Sequence, residues 1–118
     1  DNTLIVFTTD NGGSLELDDT AGNNWPLRGG KSSNLEGGIR ATAFVSGGYL
    51  PSSRYGQVET GLMHIADWYT TFCEIAGVDA HDYEAMANGL PDVDGLNMWP
   101  LITGKVSESP RKEVVITA

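Results

Sequence analysis

The sequence has few of the residues on which several common classes of protein depend. Among its 118 residues Cys73 is the single cysteine, which excludes an internal disulfide framework and a metal site made of several thiolates. Seven basic residues against 16 acidic ones leave a net charge of −9, so we expect neither nucleic-acid binding nor docking on an anionic membrane. No apolar run approaches the roughly 20 residues that a membrane-spanning helix needs. No signal peptide opens the sequence, and the apolar run so soon after Asp1 resembles a cut end, so we expect a piece of a longer protein.

Short apolar segments that alternate with a helical pattern predict an α/β fold in a single segment, residues 1–118, without an internal boundary. Residues 3–9 are apolar, β-branched or aromatic, which is typical of a strand covered on both faces in a parallel sheet with helices on each side. Residues 39–46 predict a second buried strand, and residues 113–117 predict a last one. The first two strands are separated by a long loop rich in glycine and asparagine, and such loops in compact domains are usually functional or disordered.

The clearest helix is predicted between Asp67 and Gly77, where apolar side chains recur at helical spacing. We expect Asp67 to cap its N-terminus and Gly77 to follow its last turn in the left-handed conformation. The next segment, residues 78–94, is typical of an acidic connector, and residues 95–104 predict one short helical turn.

The tetrapeptide Asp10-Asn11-Gly12-Gly13 at the end of the first strand has two interpretations. Asn-Gly after an apolar run is a strong hairpin signal, because a type I′ turn needs positive φ at both central positions. Residues 14–19, however, alternate only briefly and would pair poorly with the first strand. We therefore place Asp10 and Asn11 at the carboxyl end of a buried parallel strand, where α/β sheets bind ligands. Their carboxylate and amide oxygens suit Ca²⁺ or Mg²⁺, and the remaining donors of a site with roughly 6–8 oxygens must come from elsewhere.

Three basic residues, Arg28, Lys31 and Arg40, fall in one glycine-rich stretch in which Glu36 is the only acid. Such a cluster is a candidate anion site, because Arg28 offers a planar guanidinium, Lys31 offers a compact ammonium, and glycine lets the backbone approach a ligand. A solvated surface loop with incidental charges is the alternative. For Glu36 and Arg40 we favour a structural role, in which they brace the loop by pairing with each other or with Arg28.

The other candidate side chains are expected to be structural. His64, just before the predicted helix, is more typical of a packing residue than of a catalyst, and His81 lies in the acidic connector, where water surrounds it. Cys73 falls within the predicted helix beside apolar neighbours, as an inert buried thiol does. No Ser-His-Asp or Cys-His arrangement can be assembled from these positions.

Five short segments of the sequence, taken in order, resemble the type I sulfatases, in particular the arylsulfatase B-like type. Together they extend over nearly the whole chain, which makes the resemblance specific. The segments are Thr8-Thr9-Asp10-Asn11-Gly12-Gly13, Gly22-Asn23-Asn24-Trp25-Pro26-Leu27-Arg28-Gly29-Gly30-Lys31, Glu36-Gly37-Gly38-Ile39-Arg40, His64-Ile65-Ala66-Asp67-Trp68 and Asp94-Gly95-Leu96-Asn97.

The resemblance implies the C-terminal portion of a sulfatase catalytic domain, within an α/β alkaline-phosphatase-like sandwich of which this chain forms an incomplete sheet with flanking helices. In that family the Asp-Asn pair supplies part of a Ca²⁺ site, which makes Asp10 and Asn11 the metal ligands. The lysine after the Leu-Arg-Gly segment contacts the sulfate group, which makes Lys31 a catalytic and substrate-binding residue, and Arg28 joins it at the substrate. The activity implied is hydrolysis of sulfate esters, in which a metal and cationic side chains neutralise charge on the sulfate oxygens.

The sequence also departs from the family's pattern. The family's nucleophile is a formylglycine made from the cysteine of a Cys-x-Pro-Ser-Arg motif, which is absent, since Cys73 stands in Phe-Cys-Glu-Ile. The early Asp-Asp metal ligands and the catalytic lysine and histidine residues of the family's first half are absent as well. We therefore expect catalysis to need that N-terminal half and the isolated chain to be inactive, with weak metal binding.

Two other functions compete with this interpretation. The first is a non-catalytic module that forms a homo-oligomer through the uncovered edge of its incomplete sheet. The second, which we rank lower, is a phosphatase or phosphodiesterase of the same superfamily, because those enzymes draw on more carboxylate and histidine ligands. The resemblance implies a sulfate ester as substrate and a lysosomal, periplasmic or secreted location.

Overall fold

The computed structural model describes residues 2–15 and 22–116. These form two compact units, a first unit within residues 1–52 and 115–118 and a second unit within residues 53–114. None of the helices in the described ranges is long and apolar enough to cross a membrane. The expectation of a single segment without an internal boundary stays a prediction. The elements in chain order are β1 (Ile5–Thr8), α1 (Glu36–Ile39), β2 (Ala43–Ser46), a 3₁₀ turn (Ser52–Arg54), α2 (Asp67–Ala76), α3 (Tyr83–Ala87) and α4 (Trp99–Ile102).

In the first unit, β1 and β2 form a two-stranded antiparallel sheet. Val6 lies opposite Val45, and Phe7 lies opposite Phe44, whose ring stacks on that of Phe7 with the centroids 5.1 Å apart. Because side chains alternate between the two faces of a strand, Ile5 shares one face with both phenylalanines. That face is open to solvent, since Phe7 is 46% and Phe44 is 53% exposed.

The expected buried parallel strands are therefore wrong for the described chain. β1 pairs antiparallel with β2, and its burial alternates from residue to residue. A run of β-branched and aromatic residues shows that a segment favours a strand, but it carries no information about the direction of the partner strand. The coarser α/β class agrees with the strands and helices of the described residues, where the sheet has two strands.

In the second unit, α2 begins at Asp67 itself, with Ala66 as its N-cap, and ends at Ala76 as the sequence predicts. Gly77 follows it with φ of 69°, in the left-handed region that glycine adopts without steric cost. The Gly77 N–H donates to the Glu74 carbonyl oxygen at 3.1 Å, and the Val78 N–H donates to that of Cys73 at 2.9 Å. These two bonds satisfy carbonyl groups that the last helical turn would otherwise leave without partners.

The core of the second unit lies where α2 packs against α4. Met98 is completely buried, Leu101 is 2% exposed and Trp68 is 9% exposed. The buried Thr71 hydroxyl donates to the Asp67 carbonyl oxygen at 2.6 Å and accepts the Met98 N–H at 2.9 Å. One hydroxyl therefore uses both its donor and its acceptor capacity to join the start of α4 to α2.

The segments after α2 agree with the sequence prediction only in part. The short turn expected within residues 95–104 is confirmed as α4. The connector at residues 78–94 contains α3, which sequence reasoning missed and which begins where the Asp82 carboxylate accepts the Ala85 N–H at 2.8 Å. Residues 113–116 form no strand, and the expected end of that strand lies outside the described residues. An apolar pattern alone does not provide the partner ladder that a strand needs.

Candidate functional site

Residues 10–13, here called the 10–13 corner, directly follow β1 and do not form a hairpin. The Thr9 N–H donates to the Thr42 carbonyl oxygen at 3.0 Å, and the Gly12 N–H donates to that of Gly38 at 2.9 Å. The chain therefore continues beside the segment that leads into β2. A hairpin would return at once into a strand paired with β1, whereas the partner of β1 is β2. The hairpin alternative is wrong, and residues far along the chain hold the corner.

At this corner, loop segments pack backbone against backbone. A Cβ atom on Gly12 would lie 1.7 Å from the carbonyl oxygen of Gly37, so no other residue fits there without moving the backbone. The Gly37 N–H donates to the Arg28 carbonyl oxygen at 2.8 Å, and the Lys31 N–H donates to that of Gly13 at 3.0 Å. The segments that carry the predicted metal and sulfate ligands are therefore joined through their main chains.

The side chain of Asn24 connects the same segments. Its Oδ1 accepts the Gly13 N–H at 2.7 Å, and its Nδ2 donates to the carbonyl oxygens of Gly13 at 2.8 Å and Gly29 at 3.2 Å. Because the Gly13 N–H can only donate, the amide oxygen must face it, which determines the orientation of the amide. Sequence reasoning did not select Asn24, since nothing in the sequence separates it from its neighbour Asn23.

The 10–13 corner supplies two oxygen donors of the kind that hard cations prefer. Asp10 is exposed and Asn11 is half-buried, and the Asn11 Nδ2 donates to the Gly12 carbonyl oxygen at 2.8 Å. That bond engages the amide nitrogen, so Oδ1 is the atom that can serve a ligand. Within residues 2–15 and 22–116, no group of three or more His, Cys, Asp and Glu residues could hold a metal ion. The pair fits Ca²⁺ or Mg²⁺ in kind and falls short of the roughly 6–8 oxygens of a complete Ca²⁺ site.

The side chains of Arg28 and Lys31 are exposed, and neither belongs to an ion pair formed among the described residues. No hydrogen bond or ion pair among the described residues joins these two side chains to Asp10 or Asn11. The predicted sulfate ligands and the predicted metal ligands are therefore connected through backbone hydrogen bonds of their segments. Glu36 pairs with Arg40 across one turn of α1, with 2.5 Å between Oε2 and Nη2, which confirms the expected pairing, while their role in bracing the loop stays a prediction. Two exposed cations three positions apart in one loop of an acidic protein can attract an anion.

The carboxylate of Asp67 is completely buried and has four hydrogen bonds. It accepts the Nε–H of Arg111 at 2.7 Å and its Nη2–H at 2.5 Å, together with the N–H groups of His64 at 2.7 Å and Leu96 at 2.8 Å. Burial raises the pKa of Asp67, but these donors outweigh burial and hold the pKa below its usual 3.8. The expected helix cap is wrong: α2 has no side-chain cap at Ala66, and Asp67 binds a guanidinium that the sequence did not indicate as its partner.

The remaining candidates have the structural surroundings that the sequence predicts. The His64 Nδ1 accepts the Ala66 N–H at 3.3 Å, in a half-buried position before α2. Cys73 is a free thiol and only 8% exposed. His81 is exposed, as expected, but its Nδ1 also contacts the carboxylate of Asp92, and this hydrogen bond raises the pKa of His81.

Comparison with known proteins shows sulfatases as relatives. The family model described as Sulfatase matches residues 1–78. Arylsulfatase J from Mus musculus is 36% identical over 97% of this chain and 17% of its own length. N-acetylgalactosamine-6-sulfatase is 33% identical in Sus scrofa, over 92% of this chain, and 34% identical in Homo sapiens, over 93% of it. The chain covers 20% of each of these two proteins, and so spans about a fifth of the length of the curated relatives it matches.

The family match covers more than half of the chain and includes the segments whose backbones meet at the 10–13 corner. The relatives named above are all sulfatases, and each aligns with nearly the whole of this sequence. The resemblance that the five sequence motifs indicate is therefore confirmed. This chain belongs to the sulfatase family.

Proposed function

We propose that this chain is a segment of a sulfuric ester hydrolase of the arylsulfatase type, and that it carries part of a Ca²⁺ site and part of a sulfate site. The main support is the hydrogen bond from the Lys31 N–H to the Gly13 carbonyl oxygen, at 3.0 Å. It holds the lysine against the residue that lies two positions after Asn11. A pair of cation ligands and an ammonium group thus lie on adjoining backbone segments.

The four site residues have separate roles in this proposal. Asp10 and Asn11 hold Ca²⁺, with Mg²⁺ as the other candidate cation, and a bound divalent cation would withdraw charge from the sulfate oxygens. The Lys31 ammonium contacts the sulfate, and the Arg28 guanidinium offers parallel N–H donors that match two oxygens of one oxyanion. Both cations stabilise negative charge on the sulfate group.

We further propose that ester cleavage depends on residues outside this sequence, because the motif that yields the formylglycine nucleophile does not occur in it. The 118-residue chain then binds a cation and sulfate weakly and does not hydrolyse an aryl sulfate. In this proposal it forms the C-terminal portion of a catalytic domain with an alkaline-phosphatase-like sandwich. The family resemblance supports a lysosomal, periplasmic or secreted location.

One observation supports self-association as a second candidate function. Ile5, Phe7 and Phe44 present an exposed apolar face on a small sheet, and such a face favours contact with a second copy. Self-association leaves the joined segments at the 10–13 corner without a role, so we rank it below the sulfatase segment.

For a phosphatase or phosphodiesterase the support is weaker still, because the named relatives are sulfatases.

The cation site can be tested by calorimetric titration with Ca²⁺. We expect the wild-type chain to bind with a Kd of about 1 mM or weaker, because it offers few of the oxygens that Ca²⁺ requires. Asp10→Asn removes the charged donor and is expected to weaken binding on the order of tenfold. Glu113→Gln removes the same charge from another exposed acid and should change nothing. Equal heats for wild type and Asp10→Asn would exclude Asp10 from a cation site.

The sulfate site can be tested by NMR titration with inorganic sulfate in the presence of Ca²⁺. Lys31→Ala removes a charge-assisted hydrogen bond, and we expect it to raise the Kd for sulfate by a factor of about ten. The matched control is Lys105→Ala, since Lys105 is also exposed and the substitution changes the net charge equally. The proposed role of Lys31 is wrong if the two variants bind sulfate alike.

A further inference from the structure

We propose that Asn24 is a positioning residue of the sulfate and cation site, an inference that rests on the function proposed above. Its side chain amide holds the 10–13 corner and the loop that carries Lys31 at a set separation. Asn24 itself touches neither ligand in this proposal. It acts through Gly13 and Gly29, whose backbone groups it binds.

Every polar atom of the Asn24 amide is engaged. Oδ1 accepts the Gly13 N–H at 2.7 Å, while Nδ2 donates to the Gly13 carbonyl oxygen at 2.8 Å and to that of Gly29 at 3.2 Å. The side chain therefore pairs with both the donor and the acceptor of Gly13, as one residue pairs with another in an antiparallel ladder. A third bond reaches the loop that follows, so the amide acts as a bridge between two segments.

The Asn24 amide binds one residue close in sequence to the proposed cation ligands and another close to the proposed sulfate ligand. The Gly13 carbonyl oxygen that accepts from Asn24 also accepts the Lys31 N–H at 3.0 Å. Gly13 lies two positions after Asn11, and Gly29 lies two positions before Lys31. The amide of Asn24, the Gly13 peptide and the Lys31 main chain thus form one hydrogen-bonded group, and a shift at Asn24 moves both sets of ligands relative to each other.

The geometry requires an amide at this position. A carboxylate could accept the Gly13 N–H, but it has no donor for the carbonyl oxygens of Gly13 and Gly29 and would place negative charge against both. Asn23 differs in this respect. Its Oδ1 accepts the Trp25 N–H at 3.0 Å, and none of its described hydrogen bonds uses the amide nitrogen, so a carboxylate can replace it. Asn23→Asp is therefore a control that adds the same charge one residue away.

The test compares the wild-type chain with Asn24→Asp, Asn24→Ala and Asn23→Asp, using inorganic sulfate with Ca²⁺ as the probe. We expect both Asn24 variants to weaken sulfate binding by a factor of about ten, because Lys31 loses its place beside the corner, and Asn23→Asp to change it less than about twofold. Asn24→Ala adds no charge, so a loss in that variant is not due to repulsion. In the double variant Asn24→Ala/Lys31→Ala, we expect no further loss beyond that of Lys31→Ala alone.

Amide hydrogen exchange separates positioning from a general loss of structure. We expect Asn24→Asp to speed exchange of the Lys31 N–H, while the Thr9 N–H, which bonds to the Thr42 carbonyl oxygen, keeps its protection. Equal loss of protection at both amides would show a general structural role and overturn the inference. The inference would also be overturned if Asn24→Asp matched Asn23→Asp both in amide exchange and in sulfate affinity. If Lys31→Ala and Asp10→Asn bind their probes like wild type, the proposed function itself fails, which is a different result.

Discussion

The Gly12→Ala variant is expected to lose the folded structure of the first unit. The added methyl group would lie 1.7 Å from the Gly37 carbonyl oxygen, 2.7 Å from its carbonyl carbon and 3.1 Å from the Gly38 Cα. All three atoms belong to the backbone, so no side-chain rotation relieves the clash, and the two segments must separate. Overpacking of this kind costs about 3 kcal/mol or more, which is a large share of the stability of a small domain.

The measurement is chemical unfolding, with hydrogen exchange of the Thr9 and Gly12 amides to report on the first unit. Both amides donate to backbone oxygens across the loop, and both should exchange freely in the variant. Gly89→Ala is the matched control, because a Cβ there meets nothing within 4 Å and costs only the strain of φ at 73°, about 1 kcal/mol. An unfolding midpoint for Gly12→Ala equal to that of the control would show that the corner is not closely packed.

For Asp67→Asn, a loss of about 3 kcal/mol in the free energy of unfolding is expected. Asp67 is completely buried and Arg111 is only 15% exposed, so the substitution leaves a guanidinium without its carboxylate in a site largely closed to water. The new amide would also place an NH₂ group where the carboxylate now accepts N–H groups. Arg111 joins the chain near its C-terminal end to α2, and this connection should weaken first.

Urea unfolding measures the change, and Glu108→Gln is the control. Glu108 also pairs with a cation, Lys112 at 3.0 Å, but both side chains of that pair are mostly exposed. Solvent screens such a pair, so its loss should have little effect. If the two variants are equally stable, the buried pair contributes no more than a surface pair.

Lower pH should reduce the effect of the Asp67→Asn substitution on the free energy of unfolding. Because the folded state holds the pKa of Asp67 below 3.8, the ionised carboxylate contributes stability that is fully present above its unfolded pKa. That contribution is lost as the pH falls through the folded-state pKa. The difference in unfolding free energy between wild type and Asp67→Asn should therefore be constant near neutral pH and narrow below about pH 4. A difference that does not change with pH would contradict this linkage.

The prediction of the fold succeeded where the pattern is local. α2, the left-handed Gly77 and the turn that became α4 depend on helical spacing and end signals within a few residues. It failed at β1, because an apolar run looks the same whether its partner is parallel or antiparallel. It also failed at α3, whose cap, Asp82, is one of several acids in a segment of high charge.

The site residues, too, could be predicted from the sequence only in part. Asp10, Asn11, Arg28 and Lys31 were selected from residue type, glycine content and motif resemblance, and their role as ligands stays a prediction. Structure adds the backbone contacts that bring their segments together. Asn24 could not be selected from sequence, since its neighbour is also an asparagine and only their hydrogen bonds differ.

By itself the sequence determined membership of the sulfatase family, the main helix with its glycine end, and the chemical types available at the site. These follow from short motifs and from periodicities that act over one or two turns of chain. Only the tertiary structure decided the direction of β2, the Asp67–Arg111 pair across 44 positions and the Asn24–Gly13 bridge across 11. Such contacts depend on how the chain closes its loops, and a buried carboxylate or amide binds whichever donors that closure brings within reach.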